Sequence, residues 1–255
     1  MKSYMMSAFA AFTLLSPGLR AQPIDVSGLP VFEVASFKRA AGGGPPGDIP
    51  RNMDPSPGHF GMRNVPLRYA VEWAFDLKDY QIQGPDWIKF DERFDIEARA
   101  SGPASDSQMR LMLQRLLVER LQMKAHRETK DLAVYALVRG KGEPKLKPAL
   151  PDEQPHMAGR MTAAEFHHFP LSRLTFMLTR RMDRPVLDLT GLTGEYDYAI
   201  DLSGLANHPD STGEDGPGPS VFSAVQKDLG LKLEPGKHPV GMLVIDSVNK
   251  VPVEN

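Results

Sequence analysis

An internal repeat constrains the fold of this chain more than any other feature, because a duplicated pattern fixes how the elements must be grouped. Asn64, Val65, Pro66 and Leu67 recur as His168, Phe169, Pro170 and Leu171. Each Pro-Leu step opens a helical period: Leu67, Ala70, Val71, Ala74 and Phe75 in the first copy, and Leu171, Leu174, Met177 and Leu178 in the second. These are i, i+3, i+4, i+7 spacings, and a proline in the first helical turn lacks only an N–H that had no partner anyway. Asn64 is read as the N-cap of the first helix, and Ser172 adds a polar residue to the first turn of the second.

The same order of elements follows in both copies. An extended piece at 80–83 corresponds to one at 184–187, and turn regions at 84–92 and 188–194 follow them. Period-two strands come next, at 94–98 and 196–200, each with one buried and one wet face. A second helix is expected over 109–120 behind Ser107, and its counterpart over 221–229 behind Ser220. Residues 121–126 and 132–139 are expected to form a hairpin joined by 127–131, with a turn at 235–239 in the second copy. Opening strands are placed at about 60–63 and 165–168.

The fold expected is α+β: two tandem copies of a βαββαβ-like (split βαβ) unit with an extra strand each, in antiparallel or mixed sheets with helices on one face. Whether the copies pack their helices or join their sheets is open. The organisation read from the chain is a leader over 1–21 and an N-terminal strand with a Gly/Pro-rich strap over 22–57. Repeat unit 1 spans 58–140, a linker 141–159, repeat unit 2 160–250 with an inserted loop at 207–219, and a tail 251–255. Within the N-terminal segment, 31–37 reads as one further strand.

The leader has the order of a secretory signal: a positive Lys2, an apolar run from Met5 to Leu15, then the helix breakers Ser16, Pro17 and Gly18. Cleavage is expected after Ala21 or after Gly18, giving a periplasmic or extracellular protein. The apolar run is too short to span a bilayer and no second long one follows, so no stable membrane insertion of the mature chain is expected. The sequence has no Cys, which excludes a lipid anchor through an N-terminal cysteine and any disulfide, so stability must come from a packed core. The formal net charge is −2, and losing Lys2 and Arg20 makes the mature chain more acidic. That balance argues against a nucleic-acid partner.

Chemistry is harder to find. His167 and His168 are adjacent, so on a strand they point to opposite faces, and the other histidines show no His-Glu-x-x-His spacing. No metal site and no cofactor is expected. There is no Gly-x-Ser-x-Gly turn, and the Gly42–Gly44 run is not followed by the Lys-Ser or Lys-Thr of a phosphate loop. No catalytic residue is assigned. The candidate binding residues are Trp87, Arg93, Asp95, Asp188, Glu195 and Asp197. Trp87 is either a plug on the core or a recognition ring, with plug favoured. Arg93 with Asp95, and Glu195 with Asp197, occupy matching ends of the two copies and would line a pseudo-symmetric cleft, against the plainer reading of a solvated strand face. Asp188, before Thr190 and Gly191, reads first as turn chemistry. The arginines Arg110, Arg115 and Arg120 read as the wet face of a helix.

Several segments together resemble a known bacterial family. They are 32–38, 64–67, Gly84 to Trp87, 93–98, 109–114, His126 to Thr129, 135–138, Pro185 to Asp197 and Val244 to Asp246. The chain is similar over nearly its whole mature length to the soil-bacterial family called domain of unknown function 3738. The resemblance implies no activity and no catalytic residues. It does imply an extracytoplasmic setting, since related domains occur behind signal peptides and some follow a membrane-bound peptidase module of antibiotic-sensing receptors. Receptor function is not carried over.

Three functions follow as expectations. The first is a non-catalytic extracytoplasmic binding or sensing module for an unknown ligand or envelope protein. The second is a secreted carboxylate-dependent hydrolase using Asp95 with Asp197 or Glu97 with Glu195, which needs the pair roughly 5–10 Å apart. The third is an envelope structural or interaction protein that recruits partners by strand addition at a sheet edge.

Overall fold

In the computed structural model, residues 22–40, 58–89, 92–150, 153–160, 163–205 and 220–253 are described. The expected leader at 1–21, the strap from 41 to 57 and the inserted loop at 207–219 lie outside the described residues. In chain order the elements are β1 (Gln22–Pro23), β2 (Val34–Arg39), β3 (His59–Pro66), α1 (Leu67–Phe75), β4 (Ile82–Gln83), β5 (Arg93–Arg99), α2 (Asp106–Leu121) and β6 (Lys124–Arg139). Then come β7 (Lys147–Pro148), β8 (His156–Arg160), β9 (Ala163–Phe169), α3 (Leu171–Thr179), β10 (Val186–Asp188), β11 (Tyr196–Ile200), α4 (Val221–Leu229) and β12 (Leu231–Ser247). The protein is a mixed α and β chain with antiparallel and mixed strand pairing. Among the described residues no helix is long and apolar enough to cross a membrane.

The chain divides into two compact units, and the division does not fall in a linker. Unit 1 comprises Met1–Thr129 and Gly241–Asn255, and unit 2 comprises Lys130–Val240. The boundaries therefore lie inside β6 and inside β12.

Unit 1 is built on an antiparallel three-stranded sheet in the order β2-β5-β3. Its alternation puts Phe37, Phe60, Met62, Phe94 and Ile96 into one core with Leu67, Val71 and Ala74 of α1 and Leu113 and Leu117 of α2. Phe94, Ile96, Leu67, Leu113 and Leu117 are wholly buried. Losing one such large side chain to Ala costs about 2–5 kcal/mol, through lost transfer energy and the cavity left behind. α1 starts because Pro66 ends β3 with a fixed φ, and it stops at Asp76, which takes the left-handed conformation. The same core is completed from far along the chain. β4 pairs in parallel with β12, Ile82 opposite Leu243, and Leu243 and Ile245 are buried among the unit 1 residues.

Unit 2 holds a four-stranded antiparallel sheet, β7-β11-β9-β8. Its core joins Phe166, Tyr198 and Ile200 of the sheet to Leu171, Leu174 and Leu178 of α3 and Val225 and Leu229 of α4. It too is completed by a segment distant in sequence: β10 pairs in parallel with the second half of β6, Val186 opposite Tyr135.

Three local expectations are corrected. The two hairpins are single long strands, β6 over 16 residues and β12 over 17 residues. Residues 127–131 contain no Gly, Pro or Asn, and Asp131 alone is a turn-favouring residue, too weak a signal to break an extended backbone. In the second copy the expected turn at 235–239 is part of β12, and Gly236 does not take a positive φ. Asn64 is not a helix cap: it sits at φ 53 in a bulge of β3, and Pro66 holds the N-cap position. Finally, α2 starts at Asp106, three residues earlier than expected, capped by Ser105 rather than Ser107. The Ser105 hydroxyl accepts from the Gln108 N–H, and the Gln108 side chain accepts from the Ser105 N–H.

Candidate binding site

The six residues singled out from the sequence fall into both units: Trp87, Arg93 and Asp95 in unit 1, and Asp188, Glu195 and Asp197 in unit 2. Asp95 Oδ1 accepts a hydrogen bond from the Asn64 N–H at 2.7 Å, and the Arg93 guanidinium donates to the Asn64 carbonyl at 2.8 Å. Together they clamp the left-handed Asn64 at the register shift between Met62 and Val65. Asp197 Oδ1 accepts from the His168 N–H at 2.8 Å, and Glu195 pairs with the His168 ring. His168, at φ 60, faces the matching register shift of β11 against β9. Each pair thus fastens a strand bulge beside the start of a helix. The bulge residue, whose left-handed backbone is costly for a side-chain-bearing residue, is held by a charge-assisted bond.

Trp87 lies in the turn Asp86–Ile88 and packs partly buried against the unit 1 core, with Lys250 Nζ 5.5 Å from its ring centroid. Asp188 Oδ1 accepts from both the N–H and the hydroxyl of Thr190, at 3.0 and 2.7 Å, the side-chain-closed turn expected of it. The helix arginines are engaged rather than merely wet. Arg110 donates to the Trp73 carbonyl at the end of α1, and Arg115 to the Leu29 carbonyl at 2.8 Å. Among the described residues no group of three or more His, Asp or Glu side chains is arranged to hold a metal ion.

A different part of unit 1 forms a built concavity, and β2 is its spine. β2 is the end strand of its sheet, so only one of its edges is paired with β5. The Ala40 N–H donates to the Arg93 carbonyl, in line with the register Val34 opposite Arg99 through Arg39 opposite Phe94. By the alternation of an antiparallel ladder, Val34, Ser36 and Lys38 direct their backbone groups to β5. Ala35, Phe37 and Arg39 direct theirs to the opposite edge, where no described strand lies.

Three hollows border this strand. One of about 380 Å³ lies between residues 31–35 and Met112, Arg115, Leu116, Glu119 and Arg120 of α2. A second of about 440 Å³ runs along 35–39, closed by Arg120 and by Val251, Pro252 and Val253. A third of about 260 Å³ lies over Val34, Ser36, His59, Glu97 and Arg99. The walls are fixed. The Val253 N–H donates to the Arg120 carbonyl at 2.7 Å, the Arg120 guanidinium returns a bond to the Val253 carbonyl at 3.1 Å, and Asn249 N–H donates to the Leu121 carbonyl. In the third hollow Glu97 is held between Arg63 Nε at 2.9 Å and His59 Nε2 at 3.3 Å. The second hollow is lined by Lys38, Arg39 and Arg120, of which Arg39 is paired with Glu92 outside the hollow. Val31, Val34, Val251 and Val253, all strongly exposed, sit around the same strand.

Sequence reasoning placed a strand at 31–37 but had no means of finding this groove. The pattern shows that β2 has two faces. It does not show that one of its edges has no partner strand among the described residues, or that residues 251–253 lie beside it.

The family described as Protein of unknown function (DUF3738) matches residues 68–248 of the chain. The chain belongs to this family. The match begins just after Pro66 and takes in α1 through the last strand, so both compact units are covered in large part. No curated protein and no solved structure matches the chain.

Proposed function

We propose that the chain is an exported, non-catalytic binding or sensing module that takes its ligand in unit 1, in the groove bordered by β2, the end of α2 and residues 251–253. The observation that carries this reading is the concavity itself: an edge strand with hollows on both sides, exposed valines and a cationic lining, its walls tied by main-chain hydrogen bonds. A rigid, partly apolar cleft with a few placed polar groups is what a binding site requires.

The hydrolase reading has less support. Asp95 and Asp197 each hold a backbone N–H at a bulge, and they belong to different units. The matching clamps, helix starts and strand order favour a tandem duplication of a split βαβ unit, 58–140 against 160–250. In this reading each copy gives the second half of its last strand to the other compact unit.

A thermal-shift screen of the secreted chain against peptides, glycans and envelope fragments tests the assignment, with Val251→Asp as the groove variant. Ligands that raise the melting temperature of the parent and lose that effect in the variant support it. A blank screen, or hits indifferent to the substitution, would sink it. Export is checked separately, by N-terminal sequencing of the protein recovered outside the cytoplasm.

A further inference from the structure

We propose that β2 takes up an extended acidic peptide as an additional strand, a proposal that rests on the binding role assigned to the groove and names the ligand class. The backbone makes the first half of the case. Ala35, Phe37 and Arg39 present N–H and C=O groups at every second position along one edge, and no described strand lies against it. An incoming strand finds there a ready ladder for main-chain hydrogen bonds.

The hollows make the second half. Side chains of an added strand alternate between the two sheet faces, about 7 Å apart on one face. One set would reach the trough of Arg39, Arg120, Val251 and Val253, and the other the hollow of Val34, Ser36, His59 and Arg99. Around the larger trough Arg39 is already paired with Glu92 and Arg120 spends one donor on the Val253 carbonyl, so the ammonium of Lys38 and the remaining guanidinium donors of Arg120 are what select acidic side chains. The exposed valines select apolar ones between them. A second copy of this chain fits less well, because two β2 edges paired antiparallel about Phe37 would set Lys38 of each copy opposite Ser36 of the other, with the two ammonium groups on one diagonal and no carboxylate of β2 between them.

The test uses the secreted chain and a fluorescein-labelled peptide of about eight residues alternating Glu with Val and Thr. Its controls are a Lys-for-Glu counterpart and a form N-methylated at alternate residues. The expected result is binding of the acidic peptide by anisotropy, weakened roughly tenfold by the Lys exchange and by raised salt. N-methylation, which removes the ladder donors, is expected to weaken binding at least as much. Lys38→Gln should weaken binding several-fold, and hydrogen exchange at Ala35, Phe37 and Arg39 should slow when the acidic peptide is added. Equal binding of the N-methylated peptide would overturn strand addition and leave the groove assignment standing. So would a groove-dependent thermal-shift ligand in the absence of any peptide binding. Concentration-dependent protection of the same amides in the protein alone would show that the edge is closed by self-association, and would overturn the proposal as well.

Discussion

A strand residue with positive φ is tolerable only when its surroundings hold it there, and Asn64 and His168 are held by carboxylates. Removing the acceptor by Asp95→Ala leaves the Asn64 N–H unsatisfied in a half-buried place, and should lower stability by about 1–3 kcal/mol in urea unfolding. Asp95→Asn keeps an oxygen at the same position and should cost clearly less. If Asp95 were a catalytic group rather than a clamp, both substitutions would abolish activity without moving stability. Sequence spacing paired Asp95 with Asp197, and each accepts a bulge N–H, but spacing could not tell a clamp from a ligand group. That difference depends on which N–H lies 2.7–2.8 Å away.

Tyr198 gives a second prediction at this scale. Its ring stacks on Phe166 at 4.8 Å and its hydroxyl is buried with no hydrogen-bond partner among the described residues. Burial pushes the phenol far above its ordinary pKa of 10, and burial also raises Tyr80 and Tyr135. A raised folded-state pKa means that the protonated form is the one the fold accepts. The stability from these phenols is therefore complete below about pH 10 and is lost as the pH rises through the folded values. Tyr198→Phe removes the orphan hydroxyl and should leave the protein as stable or more stable at neutral pH. It should also flatten the alkaline decline, both read from urea midpoints at about pH 7 and pH 11.

Among the elements, the helices were the most legible because their apolar spacing is a property of the chain itself. Leu67, Ala70, Val71, Ala74 and Phe75 are all buried on one face of α1, as the period demands. Caps were less so, because Ser105 and Ser107 are both suitable residues and only backbone geometry distinguishes them. Ser105→Ala should cost about 1 kcal/mol, while Ser107→Ala should cost little, a contrast that thermal melts of the two variants will show. The strands β6 and β12 misled for a physical reason. An extended backbone that leaves one core and enters another presents an exposed stretch in its middle, from Arg127 to Ala133 in β6, which reads as a loop in a hydropathy pattern. Gly230 closes α4 at φ 67, and a Cβ there would come within 2.9 Å of the Glu143 carbonyl. Gly230→Ala should therefore destabilise unit 2 even though alanine favours helices.

For the molecule as a whole, the central fact is that unit 1 contains residues from both ends of the sequence. Ending the chain after Val240 removes Leu243 and Ile245 from its core and takes away the strand that pairs with β4. Two buried aliphatic side chains represent roughly 3–6 kcal/mol of burial, a large part of the stability of any domain. Hydrogen exchange on such a truncated chain should show unit 1 amides losing protection while those of unit 2 keep theirs. Loss of protection in both together would mean that the two compact units unfold as one.

The placement of Leu243 and Ile245 also sets an order of events during synthesis. Residues 22–129 leave the ribosome before β12, so their core lacks Leu243 and Ile245 until every residue of unit 2 has been made. In the nascent chain that core is short of two buried aliphatic side chains, and β4 is short of its partner strand, until the end of β12 emerges.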